Sequence, residues 1–563
     1  MENQRLFLFI ALSLVILLLY SAWQEQTAPK PATSVEAPLT GQTPAAADQP
    51  APPHATGQDV PSATPAGVPP SPSGAAPTVQ AESGALIQTQ RIRVVTDLFE
   101  VEIDSTGGDI RKAALRAYPE NLKEPDRPVV LFNDTLPRIL IAQSGLLASA
   151  GQSADHHAVF TSSQTEYKLA DGNDNVEVKL SWQGSEGFGV NKIYTFHRNS
   201  YVIDMVVEVV NGTNEDWAGR FYRQLQRGEV TAQEQSRFIY TYTGGVVSNE
   251  LNKYEKVDLD EMAAWKAEQN YIKGGWVAMI QHYFIGAWIP KQDQYNYFYT
   301  KALNNGRYLI GISTDETKVA AGQTGKVSSS LYIGPKEQDR LANAAPNLQL
   351  TVDYGVLTIL ADPLFWLLDF IHEYVKNWGF AIILVTLIIK LLFYKLSEAA
   401  YRSMAKMRKF QPKIQALRER YGSDRQRMSQ AMMDLYKKEK INPLGGCLPM
   451  LVQIPVFIAL YWVLLESVEL RQAPFILWID DLSAKDPFYV LPVIMGVSMF
   501  IQQKLNPAPM DPMQAKILSF LPIVFTLFFA FFPSGLVLYW VANNILSIIQ
   551  QWYITRKIER AAS

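Results

Sequence analysis

Lys390 sits inside an apolar run, GFAIILVTLIIKLLFY at 379–394. A lysine at the centre of a membrane helix costs roughly 2.5–3.5 kcal/mol on insertion scales, so such residues face a polar cavity or a partner. Thr386 stands four residues earlier, on the same helical face. The pair predicts a helix with one polar stripe and a lipid-facing remainder. A positive charge held below the membrane surface is suited to meeting something negative. The same residues fit a second reading. Lys395 follows five positions later, roughly 7.5 Å along a helix, so Lys390 could snorkel to the inner headgroups. Two more apolar runs carry polar groups: Gln453 within NPLGGCLPMLVQIP at 442–455, and Tyr539, Trp540, Asn543 and Asn544 within FPSGLVLYWVANN at 532–544.

Other chemistry is scarce. His156-His157, His197 and His282 lack metal-ligand spacing and read as surface or core histidines, so no metal is expected. The glycine pairs 107–108, 244–245 and 274–275 read as turns, and no GxxxxGK[ST] phosphate loop occurs. Cys447, the one cysteine, has no histidine beside it and reads as a packing residue; it also excludes an intrachain disulfide. No catalytic residue and no cofactor are expected, so the chain does not read as an enzyme.

The elements that hold these residues are membrane spans. Apolar runs at 6–23, 377–396, 444–465, 488–504, 516–532 and 535–552 predict six of them, against a bilayer core that needs roughly 20 residues. The core of the first, Leu6 to Tyr20, is long for a signal peptide, and Ser21-Ala22-Trp23 is a poor cleavage site, so 1–23 is expected to stay as an anchor. Alternate crossings place both termini and 399–440 inside. The inside pieces and spans then carry 20 basic and 8 acidic residues and the outside pieces 31 and 46, a split of +12 against -15 that sums to the net -3. The segment 399–440 alone has twelve Lys/Arg and four Asp/Glu, which satisfies the positive-inside rule.

Residues 24–90, rich in Pro, Ala, Thr, Ser and Gln, read as a disordered tether. From 91 to 345 the period becomes that of strands, in RIRVV, LFEVEID, NVEVKLSW, KIYTFHR, YVIDMVVEVV, WVAMIQHYFIGAWI, YNYFYT, RYLIGIS and VSSSLYIG. A large β-sandwich follows, with only 255–270 expected to be helical. Within 346–376, the stretch 356–375 is apolar but carries Asp362, Asp369, His372 and Glu373 and is broken by Pro363, which suits an interfacial amphipathic helix. A crossing there would put 399–440 outside. Residues 399–440 read as a basic helical hairpin with breaks at Pro412 and Tyr421-Gly422. It serves either as a solvated face or as a docking surface for anionic partners. The tail 553–563 is short and basic. The fold class is a polytopic α-helical membrane protein with a large outside β domain.

NPLGGC with the following LP, ELRQAPF.LWI.DLS at 469–483, and FPSGLVLYW at 532–540 together resemble the YidC/Oxa/Alb family of membrane protein insertases, closely its six-span bacterial members. MAKM and QPKIQ of the basic hairpin agree. The resemblance covers the whole architecture and is most specific over 377–552. It implies a five-span core with a hydrophilic groove, open to the cytoplasm and to lipid. The family's groove arginine falls on Lys390, its second-span threonine on Thr386, and its last-span aromatic pair on Tyr539 and Trp540. Gln453 adds a polar group there. The substrate slide of the third and fifth spans falls around Cys447, Met450, Val452, Phe525 and Phe529. Lysine in place of arginine keeps a point charge and gives up a bidentate clamp. A proline common after Tyr394 is Lys395 here.

The implied activity is insertion, folding and assembly of inner-membrane proteins, alone or with the Sec translocon. The partners implied are nascent membrane proteins, the Sec translocon, membrane lipids and the ribosome. For the ribosome the candidate residues are Arg418, Arg420, Arg425 and Arg427 in the hairpin and Arg556 and Lys557 in the tail. The location implied is the bacterial inner membrane, with the β domain periplasmic. A solute transporter or lipid flippase is the alternative; it would want intramembrane carboxylates or inverted repeats, which this sequence lacks.

Overall fold

Alternation of apolar and polar residues builds the first part of the chain into sheets. The structure is a computed structural model that describes residues 59–61, 86, 89–230, 241–266, 271–303, 306–421, 424–438, 448–506 and 512–562. The expected anchor at 1–23, nearly all of the 24–90 tether, and NPLGGC with Cys447 lie outside the described residues. Val202–Asn211 alternates half-buried and buried positions and pairs antiparallel with Phe188–His197 and Thr324–Pro335, inside a nine-stranded sheet. An eleven-stranded sheet runs through Arg307–Thr314, Trp217–Gly228, Leu140–Ala150 and Asp109–Asn121. The two sheets share one hydrophobic core, and Trp288 Nε1 of one donates to the Gln224 carbonyl of the other at 3.1 Å.

Several local expectations change. WVAMIQHYFIGAWI is a hairpin, Trp276–Ile280 and Phe284–Pro290, turned where Gln281 N–H donates to the Phe284 carbonyl. Residues 255–270 are not helical where described: Glu255–Val257 is a strand, followed by turns to Ala264. Sheet pairing with Gly245–Val247 overrides the helical pattern there. Gly244-Gly245 opens a strand rather than a turn, paired antiparallel with Met279 and Ile280. The other two glycine pairs do turn, all four residues at positive φ.

The rest is helical: α1 Gln338–Ala344, α2 Thr358–Val375, α3 Trp378–Leu392, α4 Tyr394–Tyr421, α5 Arg425–Lys438, α6 Leu448–Glu466, α7 Val490–Leu505, α8 Pro512–Phe529 and α9 Ser534–Ala562. Pro363 does not break α2; it lies in the second turn, where a missing N–H forfeits one bond. Ala361, Phe365, Leu368 and Ile371 are buried along one face, and Ile359, Trp366, Phe370 and Tyr374 are exposed. Pro412 does not break α4 either. Phe410 and Ile414, on either side of it, pack with Met432, Leu435 and Tyr436 of α5, which holds the hairpin closed. The α3–α4 break falls at Phe393 with a 68° bend, although no proline stands there.

By length and composition, one described helical stretch, Gly355–Val375, is long and apolar enough to cross a membrane; α3 taken with Tyr394–Ala405 across the bend makes a second. The apolar parts of α6, α7 and α8 are shorter.

The motif loop after α6 fastens the helices together. Gly535 N–H donates to the Leu482 carbonyl at 2.8 Å and Ser534 N–H to that of Ala484 at 2.7 Å, so ELRQAPF.LWI.DLS grips the FPSG turn. Gly379 of α3 must be glycine, since a Cβ would sit 2.0 Å from the Phe475 ring. The β domain joins at the same end. Lys336 Nζ pairs with Glu466 at 3.0 Å, both buried, His282 Nε2 meets the Leu465 carbonyl at 2.9 Å, and Arg471 and Gln472 donate to the Pro119 carbonyl.

Candidate functional site

Asn377 starts α3 by accepting the Phe380 N–H, and the apolar sequence that follows carries the helix to Lys390 in its last turn. There three helices meet. Lys390 Nζ donates to Ser547 Oγ of α9 at 2.8 Å and lies 3.4 Å from Gln453 Oε1 of α6. Gln453 Nε2 in turn donates to Asn543 Oδ1 of α9 at 2.9 Å, and Ser547 Oγ donates back to the Asn543 carbonyl at 2.6 Å. The result is a polar chain, Asn543–Gln453–Lys390–Ser547, between otherwise apolar helices. Lys390 is only half-buried, and among the described residues no carboxylate pairs with it.

Thr386 is on this side of α3 but spends its hydroxyl on the Ile382 carbonyl of its own helix at 2.6 Å, a usual outlet for a mid-helix threonine. It shapes the wall and does not bond Lys390. Tyr539 and Trp540 lie about one turn nearer the start of α9 than Asn543. Tyr539 is buried and stacks on Phe457 of α6, centroids 5.6 Å apart, and Trp540 meets the same ring edge-on at 4.9 Å. Phe525 and Phe529 of α8 close on Trp540 at 6.4 and 5.5 Å, so four of the five aromatics come from positions singled out in the sequence or beside them. Trp540 Nε1 is buried without a hydrogen-bond partner among the described residues.

Val452 is exposed on α6, one residue from Gln453 and therefore on another face. The Met450 backbone is in α6 with its side chain undescribed, and Cys447 lies outside the described residues. In the hairpin, Arg427 pairs with Asp424 at 3.3 Å and Arg420 lies over the Tyr421 ring; the side chains of Arg418 and Arg425 are undescribed. Arg556 stacks on Trp552 at 4.2 Å, while Lys557 is exposed.

Ser547 was not singled out from the sequence, although a signal is present. Asn543, Ser547 and Gln551 recur at four-residue spacing on one face of α9. Asn544 takes a neighbouring face and donates to Ser498 of α7 at 3.1 Å.

Comparison with known proteins assigns the two halves separately and the chain as a whole. A family model described as YidC periplasmic domain matches residues 91–367, and one described as 60Kd inner membrane protein matches 370–561. A membrane protein insertase YidC of Methylococcus capsulatus is 52% identical over 100% of this chain and 99% of its own. Those of Nitrosococcus oceani and Thioalkalivibrio sulfidiphilus are 49% and 50% identical, again over 100% of this chain and 100% and 99% of theirs. The chain therefore belongs to the YidC family of membrane protein insertases, inner-membrane proteins with a periplasmic domain.

Proposed function

We propose that this chain inserts, folds and helps assemble inner-membrane proteins, alone or with the Sec translocon, through a hydrophilic groove centred on Lys390, and that it is not an enzyme. The observation that carries the groove is the ammonium itself: half-buried between α3, α6 and α9, and bonded to neutral oxygens of Ser547 and Gln453. Its partners there are neutral oxygens and no carboxylate stands beside it among the described residues, so an acidic tail of a substrate can exchange for them. Gln453, Thr386, Tyr539 and Trp540 line the groove. The substrate's apolar helix partitions along Cys447, Met450, Val452, Phe525 and Phe529 and leaves into lipid. The driving force is apolar burial, on the order of 0.8 kcal/mol per methylene.

The architecture in this reading is six spans with both termini cytoplasmic: an anchor at 1–23, a tether at 24–90, a periplasmic β-sandwich at 91–345, an interfacial helix within 346–376, a five-span core at 377–552 and a basic tail at 553–563. The charge split of +12 inside against -15 outside supports this orientation. Arg418, Arg420, Arg425, Arg427, Arg556 and Lys557 face the ribosome and anionic headgroups from the cytoplasmic side.

Site-specific crosslinking tests the function. A nascent single-span protein should crosslink to probes at Gln453, Phe525 and Trp540 and not to probes at Lys301 on the β domain. Equal yields at all four positions would defeat the groove.

A further inference from the structure

We propose that Asp59, His156 and His157 form a binding site for a divalent first-row metal ion, zinc foremost, which latches the tether onto the β domain. The three are brought together although Asp59 is 97 residues before His156 in the chain. Asp59 Oδ2 lies 3.0 Å from His156 Nε2 and Oδ1 lies 3.1 Å from His157 Nε2, and the three groups' ligand atoms all fall within 4.8 Å of one another. Zinc bonds nitrogen and carboxylate oxygen at about 2.0–2.2 Å, so tetrahedral ligands stand roughly 3.4 Å apart. The cluster reaches that spacing with small side-chain adjustments.

The surroundings are those of a built site. His156 is buried, and its Nε2, although 3.0 Å from Asp59 Oδ2, makes no hydrogen bond among the described residues. Its other ring nitrogen, Nδ1, meets the Tyr222 hydroxyl at 2.5 Å, and the His156 backbone N–H donates to the same oxygen at 3.1 Å. A hydroxyl that takes up Nδ1 leaves Nε2 as the metal-facing nitrogen, the arrangement by which outer partners orient ligating histidines. Gln224 Nε2 holds the Asp59 backbone by donating to its carbonyl at 3.0 Å. Gly107 lets the histidine loop close in, since a Cβ there would sit 2.5 Å from the His156 carbonyl. His157 is exposed, so a fourth position is open to water. Two imidazoles and a carboxylate suit zinc, with copper and nickel as competitors.

A latch at Asp59 changes the tether's reach. On the proposed boundaries, 35 residues (24–58) rather than 67 (24–90) separate the anchor from the first contact with the β domain.

The test uses the untagged full chain in detergent, stripped with a chelator and titrated with zinc against a chromophoric competitor, with hydrogen exchange at 156–158 as a second readout. One zinc per chain is expected, together with slower exchange at 156–158 when zinc is added. Asp59→Ala and His157→Ala should each weaken binding by at least roughly tenfold, since each removes a ligand. His197→Ala, whose ring pairs with Asp204 instead, should leave binding unchanged. His157 is exposed, so His157→Ala should melt close to the parent when no metal is present, whereas Asp59→Ala also removes the contacts to both histidines and its binding is compared at a temperature where it is folded. Absence of stoichiometric zinc would overturn the site, and binding that survives Asp59→Ala would overturn the latch.

Discussion

Lys192 of the β domain and Lys390 of the helical region are both lysines withdrawn from water, and their partners differ in kind. Lys192 is fully buried. Its ammonium donates to the Gly107 carbonyl, to the Ser144 carbonyl at 2.6 Å and to Ser144 Oγ at 2.8 Å, and it lies over the Phe160 ring. Burial pushes it down to about 8, while nearby Asp109 and Asp155 oppose the shift. Three donors have three acceptors, so nothing is left to offer a ligand. Lys390 has two neutral side-chain oxygens, one of them at a long 3.4 Å, and a half-open surface. A saturated buried cation holds a fold together, whereas an unsaturated one has donors left for a further partner, which on the function proposed above is the substrate.

The largest effect should come from reversing the second of these charges. Lys390→Glu should abolish insertion, because it repels acidic tails and leaves an anion among apolar helices. Lys390→Arg should keep most activity. Lys390→Ala should impair a substrate with an acidic translocated tail more than the same substrate with its tail neutralised, read in an insertion assay at matched membrane levels. Equal insertion of both tails by all three variants would reduce Lys390 to a snorkelling anchor.

Lys192→Ala should act in the opposite way. It leaves the buried Gly107 and Ser144 carbonyls without their donor, at a cost of about 1–3 kcal/mol each, while Asp109 keeps its pairing with Arg111. Thermal melting of the purified chain should shift down, while insertion per folded molecule stays near the parent's. A specific insertion defect with normal melting would erase the distinction between the two lysines.

The junction between the regions should show a smaller, measurable coupling. Lys336 and Glu466 are both buried, so either Lys336→Met or Glu466→Gln alone strands a charge or a donor. In a double-mutant cycle with both changes the pair should couple by about 1–3 kcal/mol. Additive losses would mean that the β domain is not clamped to α6 through this pair.

The smallest effect is a pH dependence at the same junction. Burial pushes His282 down to about 4 from its ordinary 6.5. The folded chain therefore holds this ring neutral where the unfolded chain would protonate it. Its contribution is present above 6.5 and is lost as pH falls from 6.5 towards about 4. Between those limits the melting temperature of His282→Gln should fall less than the parent's. Parallel curves would mean that His282 is already accessible to protons.

Much of this was legible in the sequence where residues interact with near neighbours or with solvent. The period-2 run YVIDMVVEVV became the central strand Val202–Asn211, and the apolar runs became α3 and α6 to α9. Lys390, Gln453 and Asn543 were each visible as polar residues in apolar segments, since the cost of burying a polar group marks them without any structure. Prolines misled. Pro363 and Pro412 each lie within a helix, because one forfeited bond is outweighed by packing along the helix face.

Tertiary structure alone decided the pairings. Trp217–Gly228 reads as polar, WAGRFYRQLQRG, yet its central residues Tyr222 to Arg227 are buried between neighbouring strands. No alternation announces a strand in which a polar side chain such as Gln224 is buried against partners far along the chain, Gln143 and Asp59. Ser547 became the nearest partner of Lys390 only because α9 packs along α3, across 157 residues of sequence. His156 and His157 show no metal-ligand spacing along the chain, because Asp59, which comes within 4.8 Å of them, stands 97 residues before His156. Residue types and periods set which groups must find company when the chain leaves water. Which groups they find depends on how distant elements close on one another, and one-dimensional spacing does not carry that geometry.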